Sequence, residues 1–138
     1  MARAPRRQAE APAHRLILDS GAVIAWSRGE ARARAMMTRA LELALDVRIP
    51  AVVLAETLRG GPRDAPIHRV RSAVDVFPAE ESTARLAGAL LGKTGGTNTV
   101  DALVAAEAIT TGGDVLTSDV EDFQELLADY PSVTLIPL

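Results

Sequence analysis

At 138 residues, 48% of them hydrophobic and with no long uncharged apolar run, the chain is sized for one globular domain with its own core and carries no membrane span. The lack of cysteine excludes disulfides and thiolate metal sites, and His14 and His68 alone are too few for a zinc centre or a histidine-based acid–base mechanism. A net charge of −3 speaks against a purely electrostatic nucleic-acid binder; yet fourteen of the fifteen basic residues are arginine, the better bidentate phosphate ligand, so RNA is not excluded.

Met1 to His14 is rich in Ala, Pro and Arg without apolar periodicity, and is expected to be a flexible basic tail ahead of a domain spanning 15–138. It lacks the apolar stretch of a secretory signal, which together with the missing cysteines predicts a cytoplasmic protein. Arg15 to Asp19 is a short apolar run ending in an acid and then Ser20-Gly21, the pattern of a buried parallel strand reaching its carboxyl edge. A helix is expected from Ala22 to Ser27, and a longer one from Glu30 to Leu45 with Met36, Met37, Ala40, Leu41 and Ala44 on its apolar side.

Val47 to Pro50 predicts a second strand and Ala51 to Arg59 a helix stopped by Gly60-Gly61-Pro62. A short helix over 67–72, a strand over 74–77 and a helix over 79–91 follow, the last with Ala84, Leu86, Ala87, Leu90 and Leu91 inward and closed by Gly92. Beyond Gly95-Gly96, helix 99–110, strand 114–117, helix 119–128 and strand 133–136 complete the chain. Such alternation implies an α/β fold, a mainly parallel sheet with helices on both faces, whose ligands bind beyond the carboxyl ends of the strands where strand order reverses.

Hard divalent cations take oxygen ligands, so the carboxylates are the candidates for chemistry. Each has a structural reading beside the functional one. Asp19 and Ser20 suit a helix cap, Ser118-Asp-Val-Glu121 matches a capping box, and Asp101 falls in a first turn that favours negative charge. Glu56 interrupts the apolar stretch Val52 to Leu58, where a lone carboxylate is costly to bury, so a metal or an arginine such as Arg59 is expected beside it. Gly88 to Thr94 is one residue short of a phosphate-binding loop and follows a helix rather than a strand. A receiver-type phosphoacceptor domain needs a lysine after a late strand, and the single lysine, Lys93, lies elsewhere.

Leu18 to Ala22, Ile49 to Arg59, Asn98 to Ala102, and Leu116 to Asp119 with Asp122 a turn later, taken in this order and spacing from Arg15 to Leu138, resemble a PIN domain of the kind found in VapC toxins. The resemblance implies a three-layer α/β/α sandwich, and an endoribonuclease dependent on Mg²⁺ or Mn²⁺ whose metal-binding, catalytic acids are Asp19, Glu56, Asp101 and Asp119. Asn98, Ser118, Asp122 and Ser20 are secondary candidates, with Asn98 standing where some members carry a further acid. The resemblance further implies RNA as substrate, 5′-phosphate and 3′-hydroxyl products, a VapB-like antitoxin as partner, and a homodimer in which Trp26, Met36 and Met37 are either contact surface or core. Arg28, Arg59, Arg63, Arg69 and Arg71 are either substrate contacts or solvated charges. The alternatives are an RNA-processing PIN nuclease without an antitoxin, and a non-catalytic domain that binds a partner in its acidic pocket.

Overall fold

In the computed structural model, which describes residues 14–138, the strands β1 (Arg15–Leu18), β2 (Asp46–Pro50), β3 (Asp75–Phe77), β4 (Asp114–Thr117) and β5 (Leu135–Pro137) form one parallel sheet in the order β3-β2-β1-β4-β5. Between them run α1 (Ser20–Ser27), α2 (Ala31–Glu42), α3 (Ala51–Thr57), a 3₁₀ turn (Pro62–Asp64), α4 (Ala65–Ser72), α5 (Glu81–Thr94), α6 (Thr99–Thr111) and α7 (Val120–Leu126). Residues 1–13 of the expected basic tail lie outside the described residues. His14 is already tied to the sheet: its ring meets Asp114, and its carbonyl accepts the N–H of Asp46.

Helices α2, α3 and α4 pack around α1, and α5, α6 and α7 pack around one another. Right-handed crossovers place these groups on opposite faces, since the chain steps one way from β1 to β3 and the other way from β3 to β5. Covered on both sides, the central strands need no polar alternation: Leu16, Ile17 and Leu18 of β1 and Val115, Leu116 and Thr117 of β4 are all buried. The edges are wetter, with Asp75 on β3 and Pro137 on β5 exposed. α6 is alanine-rich because it lies closest to the centre, where Ala102, Ala105, Ala106 and Ala108 are buried and α5 lies against it. Met37 belongs to the core, and the partly buried Trp26 and Met36 pack against it.

The observed boundaries differ from the expected ones for local reasons. α1 starts at Ser20 rather than Ala22 because Asp19 caps it, its carbonyl accepting Val23 N–H and its carboxylate accepting Ser20 N–H. α2 stops at Glu42, since Ala44 adopts φ 53 and the chain turns back, Leu45 N–H reaching Ala40 O. This leaves Leu41, Leu43 and Ala44 exposed, where Leu41 and Ala44 were expected inward. α3 ends at Thr57, ahead of the glycines, while α4 begins at Ala65 with Pro66 in its first turn, where the missing N–H is harmless. α5 runs through Gly92 to Thr94: a helix tolerates glycine, and the stop comes at Gly95, whose φ of 70 a side chain resists. Its inward row contains Thr83, whereas Ala84 faces solvent. β5 begins two residues late, with Val133 used as a core residue before the strand pairs with β4.

Candidate metal centre

Strand order reverses between β1 and β4: their neighbours β2 and β5 lead away in opposite directions, opening a crevice beyond their carboxyl ends. Asp19 leaves β1 there, held by its N–H to Leu116 O of β4 at 3.1 Å. Thr117 ends β4, and Asp119 follows two residues later. The topology therefore delivers two carboxylates to one point from positions far apart in the chain.

Asp19 is 1% exposed and firmly held. One carboxylate oxygen accepts Ser20 N–H at 2.6 Å and Ser20 Oγ–H at 3.3 Å; the other accepts Thr117 Oγ–H at 2.8 Å. Burial pushes the Asp19 carboxyl up from its ordinary range and the negative charges of Asp119 and Glu56 add to this, while the hydrogen bonds from Thr117 and Ser20 pull the other way. Thr117 Oγ also accepts Asp119 N–H at 2.9 Å, so one hydroxyl links both acids. Sequence reasoning gave Thr117 no role; a hydroxyl residue at the end of a buried strand, two positions before an acid, was the available signal.

The capping box expected over Ser118 to Glu121 does not form: Asp119 makes no side-chain cap bond to α7, because its loop is held through its backbone by Thr117. Asp119 and Ser118 are solvent-exposed. Asn98, by contrast, caps α6, its side-chain oxygen accepting Asp101 N–H at 3.0 Å. That bond fixes the first turn of α6 and with it Asp101, which is 6% exposed. Burial first, and then the charges of Asp19, Glu56, Asp122 and Asp119, raise the Asp101 carboxyl to about 7. Asp101, Asn98, Asp122 and Glu125 line a cleft of about 260 Å³.

Glu56, on α3, lies near enough for its charge to act on both Asp19 and Asp101. Its Oε1 is buried without a hydrogen-bond partner, the one such side-chain atom among the described residues. Arg59, the expected neutralising neighbour, instead donates to the carbonyls of Ala55 and Leu58 at 3.1 and 2.7 Å. Among the described residues no group of three or more His, Cys, Asp or Glu side chains is arranged to hold a metal ion as it stands. The donor chemistry nevertheless suits a hard cation: all oxygen, with an acceptor on Glu56 lacking a donor and two acids, Asp19 and Asp101, whose carboxyls are raised first by burial and then by neighbouring negative charge.

Gly21 shows how tightly the crevice is built. A Cβ there would meet Ser118 Oγ at 2.2 Å and Ser118 Cβ at 3.3 Å. Gly21→Ala is therefore expected to rotate the Ser118 side chain aside and press on its Cβ, destabilising the chain by roughly 1 kcal/mol. Adding Ser118→Ala should recover part of that loss. Thermal melts of the single and double variants check this, and a double variant no more stable than Gly21→Ala would place the crowding elsewhere.

The PIN domain family model matches residues 16–126. No curated protein sequence matches at a significant level. Among solved structures, VapBC2 from Rickettsia felis bound to a promoter DNA fragment superposes with a TM-score of 0.73 at 15% identity, covering 90% of this chain and 98% of that one. DNA-bound VapBC from Salmonella typhimurium gives 0.72 at 16% identity with the same coverages, and VapBC-5 from Mycobacterium tuberculosis gives 0.59 at 22%, covering 90% and 98%. At these identities the structures speak for the fold, and it is the family model, matched from β1 through β4 to α7, that carries the assignment: the chain belongs to the PIN-domain family.

Proposed function

We propose that the chain is an endoribonuclease dependent on Mg²⁺ or Mn²⁺ and acts as the toxin of a toxin–antitoxin pair, with Asp19, Glu56, Asp101 and Asp119 as its metal-binding acids. The observation that carries this reading is the burial of Asp101 near the switch point of the sheet, where burial first and then the charges of Asp19, Glu56, Asp122 and Asp119 raise its carboxyl to about 7. The structural neighbours described as VapBC complexes support a VapB-like antitoxin as partner.

A divalent cation held by these acids supplies a counter-charge for a non-bridging phosphate oxygen and an acidified water for attack on phosphorus. The residues divide the remaining work. Asp19, pinned by Thr117 and Ser20, is the rigid member that keeps its position whether or not charge arrives. Asp101, set on a capped helix and raised to about 7, would give up its proton to act as a ligand, so cation binding would be coupled to proton release. Glu56 contributes an oxygen with no competing donor, and the exposed Asp119, Ser118 and Asp122 stand at the solvent side, where a phosphodiester has access.

Purified chain incubated with labelled RNA should cut it when Mg²⁺ or Mn²⁺ is present, stop in EDTA, and resume when excess cation is restored, leaving 5′-phosphate ends. Cleavage undiminished by EDTA, or none with either cation, would sink the proposal. An adjacent reading frame for a small protein that binds the chain and suppresses cutting would separate a toxin from an RNA-processing enzyme.

A further inference from the structure

Glu56 also lines a second cleft, of about 370 Å³, whose rim is basic: Arg28, Arg59 and Arg63 stand around it, over a floor that includes Ile24 and Ile67. We infer that this cleft is the nucleotide subsite flanking the cut, holding the RNA backbone phosphate on Arg28 and Arg63 and the unpaired nucleotide over the apolar floor; the inference rests on the nuclease reading of the neighbouring acids.

Three elements converge to build it. Arg28 caps the carboxyl end of α1, Arg59 follows α3, and Arg63 sits in the 3₁₀ turn before α4. The loop that presents the last two is pinned from within: the buried Asp64 carboxylate accepts the N–H of Arg59 at 3.1 and 3.0 Å and of Gly60 at 2.7 Å. A loop ordered in advance loses less freedom when a ligand arrives. Arg59 is partly spent on the carbonyls that end α3, a structural duty for a cation at a helix terminus. Arg28 and Arg63 are exposed, and among the described residues neither has a carboxylate within ion-pair distance, although acids outnumber bases in the chain.

The two clefts differ in sign. Asp122 and Glu125 line the cleft beside Asp101, whereas arginines line the one beside Glu56, so a polyanion crossing the acids is drawn to one flank and repelled from the other. The floor carries isoleucine and no aromatic ring, which suits the face of any base and reads none of them. Single-stranded RNA fits these terms, because a base must leave its pair to reach the floor. Arg69 and Arg71, also candidates by sequence, lie on α4 outside the cleft.

The test measures binding by the full chain of a fluorescein-labelled oligouridylate of about ten nucleotides, by anisotropy in EDTA over a range of salt. R28A/R63A should weaken binding about tenfold or more and flatten the log Kd against log salt slope by about 1.4, near 0.7 for each lost single-strand contact. R69A/R71A, with both residues exposed, should stay within about twofold of the unaltered chain. Equal affinity and slope in R28A/R63A, or no binding by the unaltered chain, overturns the subsite. Cutting by the unaltered chain in Mg²⁺ scores the nuclease reading separately: cutting that persists in R28A/R63A with unchanged binding removes the subsite alone, and RNA binding lost in R28A/R63A without any cutting by the unaltered chain removes the nuclease reading and the cleft's place beside a cut, leaving an RNA-binding cleft.

Discussion

Asp101→Asn is expected to reduce metal-dependent RNA cleavage by about a thousandfold or more while the fold persists. The amide keeps the shape of the carboxyl, and the bond that caps α6 uses the backbone N–H of residue 101 rather than its side chain, so the helix start survives. The change removes a negative charge at the point where Asp19, Glu56, Asp119 and Asp122 all act on it. An asparagine oxygen is a weaker ligand for a hard cation than a carboxylate, and it cannot balance the cation's charge. Single-turnover cleavage rates in Mg²⁺, compared with circular-dichroism melts of the same preparations, decide the matter. Retained cutting at the parental rate would remove Asp101 from the catalytic set. Asp119→Asn provides an independent check, since that side chain is exposed and its loss leaves packing untouched.

The same cluster makes the stability of the metal-free chain fall as pH rises. In the unfolded chain Asp101 releases its proton at the ordinary 3.8, whereas in the fold it keeps it to about 7, held by burial and by the surrounding carboxylates. Between those values the folded state binds a proton that the unfolded state has lost, so unfolding becomes easier with each increment of pH. Asp19, also raised, adds a contribution of the same sign. From pH 5 to pH 8 in EDTA a loss on the order of 2 kcal/mol is expected, or roughly 8 °C in Tm. Asp101→Asn should flatten that dependence and melt higher than the parent at pH 8. On the proposed metal reading a divalent cation competes with that proton, so Mg²⁺ should raise Tm more at pH 8 than at pH 5. A metal-free Tm that climbs steadily from pH 5 to pH 8 would show that the acids do not interact as described.

Much of this architecture was legible in the order of residues. The apolar runs at Leu16 to Leu18 and Val115 to Leu116 mark strands covered on both faces, and the helical segments between them leave little besides a parallel sheet. The acids at strand ends were visible for the same reason. Boundaries were less legible, because they depend on individual bonds: Asp19 starts α1 two residues early, and Gly95 rather than Gly92 stops α5. Composition cannot say which of two nearby glycines takes the left-handed conformation.

The arginines show the limit more sharply. Five were candidates around the site, and nothing in their spacing ranks them. Asp64, in a segment that reads as a simple turn, pins the loop that brings Arg59 and Arg63 beside Arg28 at the end of a different helix. Glu56 was singled out by its apolar setting, yet the expected partner Arg59 turned to backbone carbonyls instead, leaving Oε1 without a donor.

By itself, then, the sequence determined the α/β class and the parallel sheet, since these are written in short-range periodicity, and it placed Asp19 and Asp119 at the ends of buried strands. The tertiary structure alone decided which groups meet. The Thr117 to Asp19 hydrogen bond joins residues 98 positions apart, and it exists because β4 lies beside β1 in the sheet. The proton on Asp101 and the opposite charge of the two clefts have the same origin, because burial and Coulomb interaction depend on distance through the fold rather than distance along the chain.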